Sequence, residues 1–281
     1  MIKITKFKYL ALFLFIMQET IDKSVINKSV HDFKRYRSRV FRNNFSLDRL
    51  RHDGTRPSKI FSEMIPEYGA MIAYDLPGRV LRKLDWFGKE LKSTIPSLMI
   101  YDEKTGHMND MSCFVRKDGF SQNDLTELVL FLSEAVYSAL PSLKPFSLHF
   151  NSWMINQSSV IATAEVADAY VTNQQNIAKQ LANIKKDIKH RMNGQYDALE
   201  FKDNPLQHVT AARFTQKHPY KHLSESGLMK RIERNSPLGT AEFNQITVGK
   251  FRLDSKGFTF TTLETFDLVK KNQTTYESYR T

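Results

Sequence analysis

The chain has 281 residues, 41% of them hydrophobic, with 41 Lys plus Arg against 30 Asp plus Glu, a formal charge of +11. That composition excludes collagen-like, low-complexity and wholly disordered chains, and the length holds one large domain or two small ones. The lone Cys113 excludes an internal disulfide framework and a zinc site built from several thiolates, and no apolar run approaches the roughly 20 residues that span a bilayer.

Residues 1–20 place Lys3, Lys6 and Lys8 ahead of the apolar stretch Tyr9 to Met17. The pattern has the charged and apolar regions of an export signal but lacks a small-x-small cleavage site. A signal segment and a buried strand or helix therefore both stand, and with them an exported or a cytoplasmic location. Residues 21–60 form a basic arm, with Lys34, Arg35, Arg37, Arg39, Arg42, Arg49, Arg51, Arg56 and Lys59 interleaved with Phe33, Tyr36, Phe41 and Phe45. Such a tract can steer an anionic partner, although a solvated charged face has the same composition.

From residue 61 to 281 the pattern is that of a folded domain. Tyr68 to Leu76 reads as a strand. Pro77-Gly78 then opens a helix in which Val80, Leu81, Leu84, Phe87 and Leu91 recur at helical spacing. After Pro96, Ser97 to Tyr101 is a strand and Met111 to Val115 another, stopped by Asp118-Gly119. Ser121 caps a second helix with Leu125, Leu128, Val129, Leu132, Ala135, Val136 and Leu140 as its apolar stripe. Phe146, Leu148 and Phe150 alternate with polar residues in a half-buried strand, and Ser158 to Val166 follows as the next. A third helix carries Ile177, Leu181, Ile184 and Ile188 and stops at Asn193-Gly194. His208 to Phe214, Ile246 to Leu253 and Phe258 to Leu268 are extended, the last two joined by a turn at Asp254 to Gly257. Pairs of strands around single helices favour an α+β fold over a doubly wound parallel sheet.

Of the eight His, His31 and His52 sit among the arm's cations, and His149 lies on the polar side of its strand. His190 is in a helix's last turn, and His218 and His222 are in a polar loop. His107 and His208 have more informative settings. In His208-Val209-Thr210 the period of two puts the imidazole and the hydroxyl on one face, able to share a phosphate. The ring moves a proton and the hydroxyl holds an oxygen. His107-Met108-Asn109 is the corresponding stretch in the first half, with an amide in place of the hydroxyl. Arg213 lies an odd number of positions from His208, so an unbulged strand points it to the other face, outside the site.

With a His-bearing strand in each half, the sequence resembles the two-histidine phosphoesterases, the RNA-ligase-like cyclic phosphodiesterases, over roughly Tyr68 to Leu268. Asn109 departs from the Thr or Ser of that pattern, and Arg213 stands where the family often has a basic residue. The resemblance implies an α+β fold of two pseudo-symmetric lobes, with antiparallel sheets, outer helices and the two His strands lining a central cleft. It implies hydrolysis of a cyclic phosphate, 2′-5′ or related phosphodiester of RNA or a nucleotide, with His107 and His208 as the acid/base pair and no metal or cofactor. Asn109 and Thr210 would hold the substrate. Two other readings stand beside it. One is a binding protein of the same fold that turns nothing over, and the other is an exported basic protein whose His are incidental. Residues 1–60 carry 14 Lys plus Arg against 5 Asp plus Glu, +9, which leaves 27 against 25, +2, for residues 61–281. The excess charge thus belongs to the arm rather than to the region of the His motifs.

Overall fold

The computed structural model describes residues 31–32, 35, 39, 47–64, 66–115, 122–165, 167–191, 199–203, 207–235 and 237–268. The leader, most of the basic arm, the cap at Ser121, the turn at Asp118-Gly119 and the stop at Asn193-Gly194 lie outside the described residues, as does the side chain of Cys113.

Ten strands form two antiparallel five-stranded sheets. The first has the order β10-β9-β1-β3-β6, built from β10 (Gly257–Asp267), β9 (Gln245–Asp254), β1 (Glu67–Asp75), β3 (His107–Val115) and β6 (Leu199–Asp203). The second has the order β2-β7-β5-β4-β8, built from β2 (Leu98–Ile100), β7 (His208–Phe214), β5 (Ser159–Ala164), β4 (Phe146–Ile155) and β8 (Gly239–Phe243). This is the expected α+β class. The lobes are not simply the two halves of the chain, however. β2 leaves the first half to join the second sheet, while β6, β9 and β10 leave the second half to join the first. Pairing of this kind is set by packing at long sequence separation, which local patterning does not encode.

Seven helices are described: α1 (Leu47–Asp53), α2 (Lys59–Ser62), α3 (Gly78–Thr94), α4 (Gln122–Ala139), α5 (Asp168–Arg191), α6 (Tyr220–Glu225) and α7 (Leu228–Arg234). Helix α3 buries Val80, Leu84, Phe87 and Leu91, the spacing of a single apolar stripe, against β2, β7 and β8. Helix α4 lies on β1, β9 and β10 and packs against α5. One buried cluster runs through both sheets, from Ala70, Ile72 and Tyr74 to Val209, Ala212 and Phe243. His222 lies on α6, so the polar loop expected around it is in part a helix. Helices α6 and α7 have six and seven residues, too few turns for periodicity to reveal. Among the described residues no helix is long and apolar enough to cross a membrane.

The stretch around α1, basic in composition, packs into the domain. Leu50 is fully buried. The backbone N–H of Thr55 donates to the His218 carbonyl (2.8 Å), while its hydroxyl accepts from the His218 N–H (2.6 Å) and donates to the Gln216 carbonyl (3.0 Å). Gly54 makes this approach possible, because it sits at φ 71° and a Cβ there would lie 2.3 Å from the His218 carbonyl oxygen. Thr55 is itself fully buried, so Thr55→Val removes both hydroxyl bonds while keeping the volume. The variant is expected to lose about 1–3 kcal/mol of stability, read as a lower midpoint in denaturant titration with unchanged slope.

Candidate functional site

The approach to His107 is a built turn. The Asp102 carboxylate accepts from the Lys104 N–H (3.0 Å), the Thr105 N–H (3.0 Å) and the Thr105 hydroxyl (2.8 Å), and the Gly106 N–H closes onto the Asp102 carbonyl (2.9 Å). Gly106 allows the chain to pass close to α3, since a Cβ there would lie 2.7 Å from a Leu81 methyl and 2.8 Å from one of Leu84. The turn aims the Thr105 carbonyl at the His107 ring, 2.7 Å from Nδ1. A carbonyl only accepts, so Nδ1 carries the proton and Nε2 is the basic nitrogen of the neutral ring. His107 then opens β3, a strand that begins four residues earlier than the expected Met111.

The ring sits against aromatic faces. Phe258 stacks on it with centroids 4.7 Å apart and 21° between planes, and Phe260 and Tyr101 each lie at 6.1 Å. Burial pushes the His107 pKa down to about 4, opposed by the Thr105 hydrogen bond and reinforced by the positive charges of Arg213 and His208. The two motifs therefore lie within electrostatic reach of one another, and β3 and β7 pack together although they belong to different sheets.

Both motif strands carry a bulge three residues after the histidine. Against β1, Met111 pairs with Ile72 and Asn109 with Ala73, which leaves Asp110 as the extra residue of β3. Against β5, Ala212 pairs with Val160 and Thr210 with Ile161, which leaves Ala211 as the extra residue of β7. A bulge resets the alternation of faces beyond it. On β7, Val209, Ala211, Ala212 and Phe214 are buried, whereas His208, Thr210 and Arg213 are half-buried and share one face. The expectation that Arg213 points away is therefore overturned, because it assumed an unbulged strand. Two consecutive small apolar residues, Ala211-Ala212, were the signal in the sequence.

Arg213 is held in place by Tyr101, whose hydroxyl accepts from Nε at 2.9 Å, with the guanidinium carbon 6.0 Å from the ring centroid. The interaction with Tyr101 strengthens the hold on the charge, and the Glu67 carboxylate adds to it. On β3 the same reset puts Ser112 beside Asn109, whose amide nitrogen donates to the Ser112 hydroxyl at 3.4 Å. Sequence reasoning did not find Tyr101, Phe258 or Ser112, since each joins the site by packing between elements far apart in the chain.

The other histidines lie elsewhere. His218 Nδ1 faces His222 Nδ1 at 3.1 Å and His218 Nε2 meets the Ser97 hydroxyl at 2.9 Å; His149 contacts the Thr240 hydroxyl. A groove of about 760 Å³ by α1 and α6, lined by Arg51, Asp53, Lys217, Tyr220 and Lys221 among others, includes neither His107 nor His208. Among the described residues no cluster of three or more His, Cys, Asp or Glu could hold a metal ion.

An α+β chain of two antiparallel sheets, with His-x-Asn opening a strand of one and His-x-Thr a strand of the other, has similar solved structures. TT0787 of Thermus thermophilus is 17% identical, with a TM-score of 0.47 over 71% of this chain and 97% of that one. E. coli LigT complexed with phosphate is 11% identical, with a TM-score of 0.44 over 73% of this chain and 99% of that one. E. coli LigT complexed with 3′-AMP is 12% identical, with a TM-score of 0.44 over 72% and 99%. These are likenesses of fold. No family model matches the sequence, and no curated protein matches it.

A role of Arg213 in holding an anion can be tested without turnover. Inorganic phosphate is expected to bind the wild-type chain and to lose roughly 10- to 100-fold in affinity in Arg213→Gln, as for a lost charged hydrogen bond, measured by titration calorimetry. Equal affinity in the two proteins would remove Arg213 from the site.

Proposed function

We propose that the chain is a metal-independent phosphodiesterase of RNA or a nucleotide, acting on a cyclic phosphate, 2′-5′ or related phosphodiester by paired-histidine acid/base catalysis. The observation that carries this reading is His107 itself: a neutral imidazole with its Nδ1–H anchored to the Thr105 carbonyl, within electrostatic reach of a second imidazole and of Arg213. A ring kept neutral suits the general base, so His107 Nε2 takes a proton from water as the water oxygen bonds to phosphorus. The acid role falls to His208. Protonated, it gives its proton to the departing ribose oxygen as the P–O bond breaks, and the products are a phosphate monoester and a free hydroxyl. Thr210 and Asn109 hold non-bridging oxygens, and Arg213 offsets the charge that builds on them. The basic arm of residues 21–60 adds salt-dependent attraction for an anionic partner without entering the chemistry.

Asn109 favours a second reading. Its amide is engaged with Ser112, and a site that lacks the hydroxyl of the first motif can bind RNA or a nucleotide without turnover.

With a 2′,3′-cyclic nucleotide in the presence of EDTA, His107→Ala and His208→Ala are each expected to lose about 10²–10⁴-fold in kcat. Full activity in either variant overturns the paired mechanism. Binding of the nucleotide by wild type with no product after long incubation establishes the second reading. The base must be unprotonated, so activity is lost as pH falls through its pKa. The acidic limb of kcat/KM is therefore expected near pH 4 rather than in the usual histidine range, and a limb at pH 6 to 7 rejects His107 as base.

A further inference from the structure

Strand β10 is an edge strand, separated from β3 by β9 and β1. Register alone would keep it away from His107, which pairs with Asp75 of β1, because Phe258 lies across from Leu253 of β9, itself across from Glu67 at the other end of β1. Yet the Phe258 ring stacks on the imidazole, with Phe260 at 6.1 Å from the imidazole and Phe251 at 6.3 Å from Phe258. The sheet must curl to bring its last hairpin over the histidine. Tyr101 closes the group at 5.4 Å from Phe258 and at the same time holds Arg213.

We propose that Phe258 is a positioning residue of the site: its ring, with Phe260 also near the imidazole, fixes the His107 imidazole in plane and keeps water from the face on which an imidazolium would be solvated. This rests on the reading of His107 as base for its functional meaning, but the effect on the ring itself does not depend on turnover. The groups around the imidazole make the assignment specific. From β7 come Arg213 and His208, both of which disfavour a second positive charge. From the segment before β3 come the Tyr101 phenol, engaged by Arg213, and the Thr105 carbonyl, which alone favours the charged ring. On β1 the cross-strand partner is Asp75, whose carboxylate accepts from the Thr247 hydroxyl at 3.2 Å and whose own pKa burial raises. Strand β10 contributes the two phenyl rings, which carry no charge. Removing a ring opens the imidazole face to water and leaves every charged neighbour in place, so the change isolates solvation from Coulomb effects.

The test is the NMR titration of the His107 ring in the full chain, with its signal assigned by its absence in His107→Gln. In wild type the ring is expected to stay neutral through pH 5 to 8. In Phe258→Ala its midpoint is expected to rise by at least one pH unit, tenfold in proton affinity, and in Phe260→Ala, whose ring is farther away, by less. Phe258→Tyr keeps the stack and is expected to titrate like wild type, which also covers the case in which the alanine variant does not fold. A Phe258→Ala midpoint equal to that of wild type in a folded chain overturns the proposal. So does a Phe258→Tyr midpoint shifted as far as that of alanine, or a wild-type ring that titrates near 6.5. If the chain has no phosphodiesterase activity the titration still decides the matter, whereas failure of the titration with turnover intact leaves the paired mechanism standing and removes Phe258 from it.

Discussion

The two sheets depend on one aromatic junction. Tyr74 at the end of β1 meets Phe146 of β4 edge-on at 4.9 Å and Phe243 of β8 at 5.7 Å, while Phe146 and Phe243 stack at 5.0 Å and Tyr170 of α5 closes the group. Such contacts are worth about 0.5–1.5 kcal/mol each beyond the area they bury, and they are directional, so the junction sets orientation as well as cohesion. Its place in the chain gives it consequence for the site. Tyr74 pairs with Met108 across the β1–β3 ladder and its neighbour Asp75 pairs with His107. Fixing Tyr74 against the second sheet therefore fixes where β3 begins. The Tyr74 phenol is fully buried next to Asp110, the bulged residue of β3, and burial and that carboxylate raise its pKa well above the ordinary value. The same few residues thus join the sheets and border the first motif.

Within that frame the bulges decide what the site contains. Without them, alternation gives each strand a histidine and one polar residue two positions on. With them, Ser112 joins the first set and Arg213 the second, five residues after their histidines. One irregularity recurs at one offset in two strands of different sheets, although the motifs themselves differ at Asn109 and Thr210. The two sets differ in chemistry. The second set has a hydroxyl and a guanidinium, and the first has an amide bonded to a hydroxyl. The guanidinium thus lies on the His208 side, and on the proposed reading the base lies on the His107 side.

The elements legible in the sequence were those whose residues answer to their neighbours in the chain. The stripe of α3 and the alternation of Phe146, Leu148 and Phe150 in β4 are local patterns imposed by burial of one face, and the structure carries both as expected. The hairpin at Asp254 to Gly257 was legible for the same reason, with Gly257 at φ 147° supplying the turn. His208 and Thr210 fall on one face because two positions is the period of a strand. What was illegible was set at a distance or by a break in period. The exchange of β2, β6, β9 and β10 between halves follows from which edges find partners in three dimensions. Arg213 was misplaced by a single extra residue, because a one-residue insertion reverses every face beyond it. Phe258 was invisible as a site residue, since nothing in its own segment connects it to a histidine 151 positions earlier.

The placement of charge has a further consequence for how such a site operates. Before an anion arrives, His107 shares its surroundings with Arg213 and His208, and the local field disfavours another proton. A bound phosphodiester brings a negative charge to the same place. In the proposed mechanism it would offset the guanidinium and stabilise the imidazolium formed as His107 accepts a proton from water. On that reading the ring would be a weaker base in the empty site than in the occupied one, so proton transfer would be favoured where there is a phosphate to use it. On the proposed reading, one short-range arrangement of Arg213, Tyr101 and the aromatic faces around His107 would serve both selectivity for an anion and control of the base.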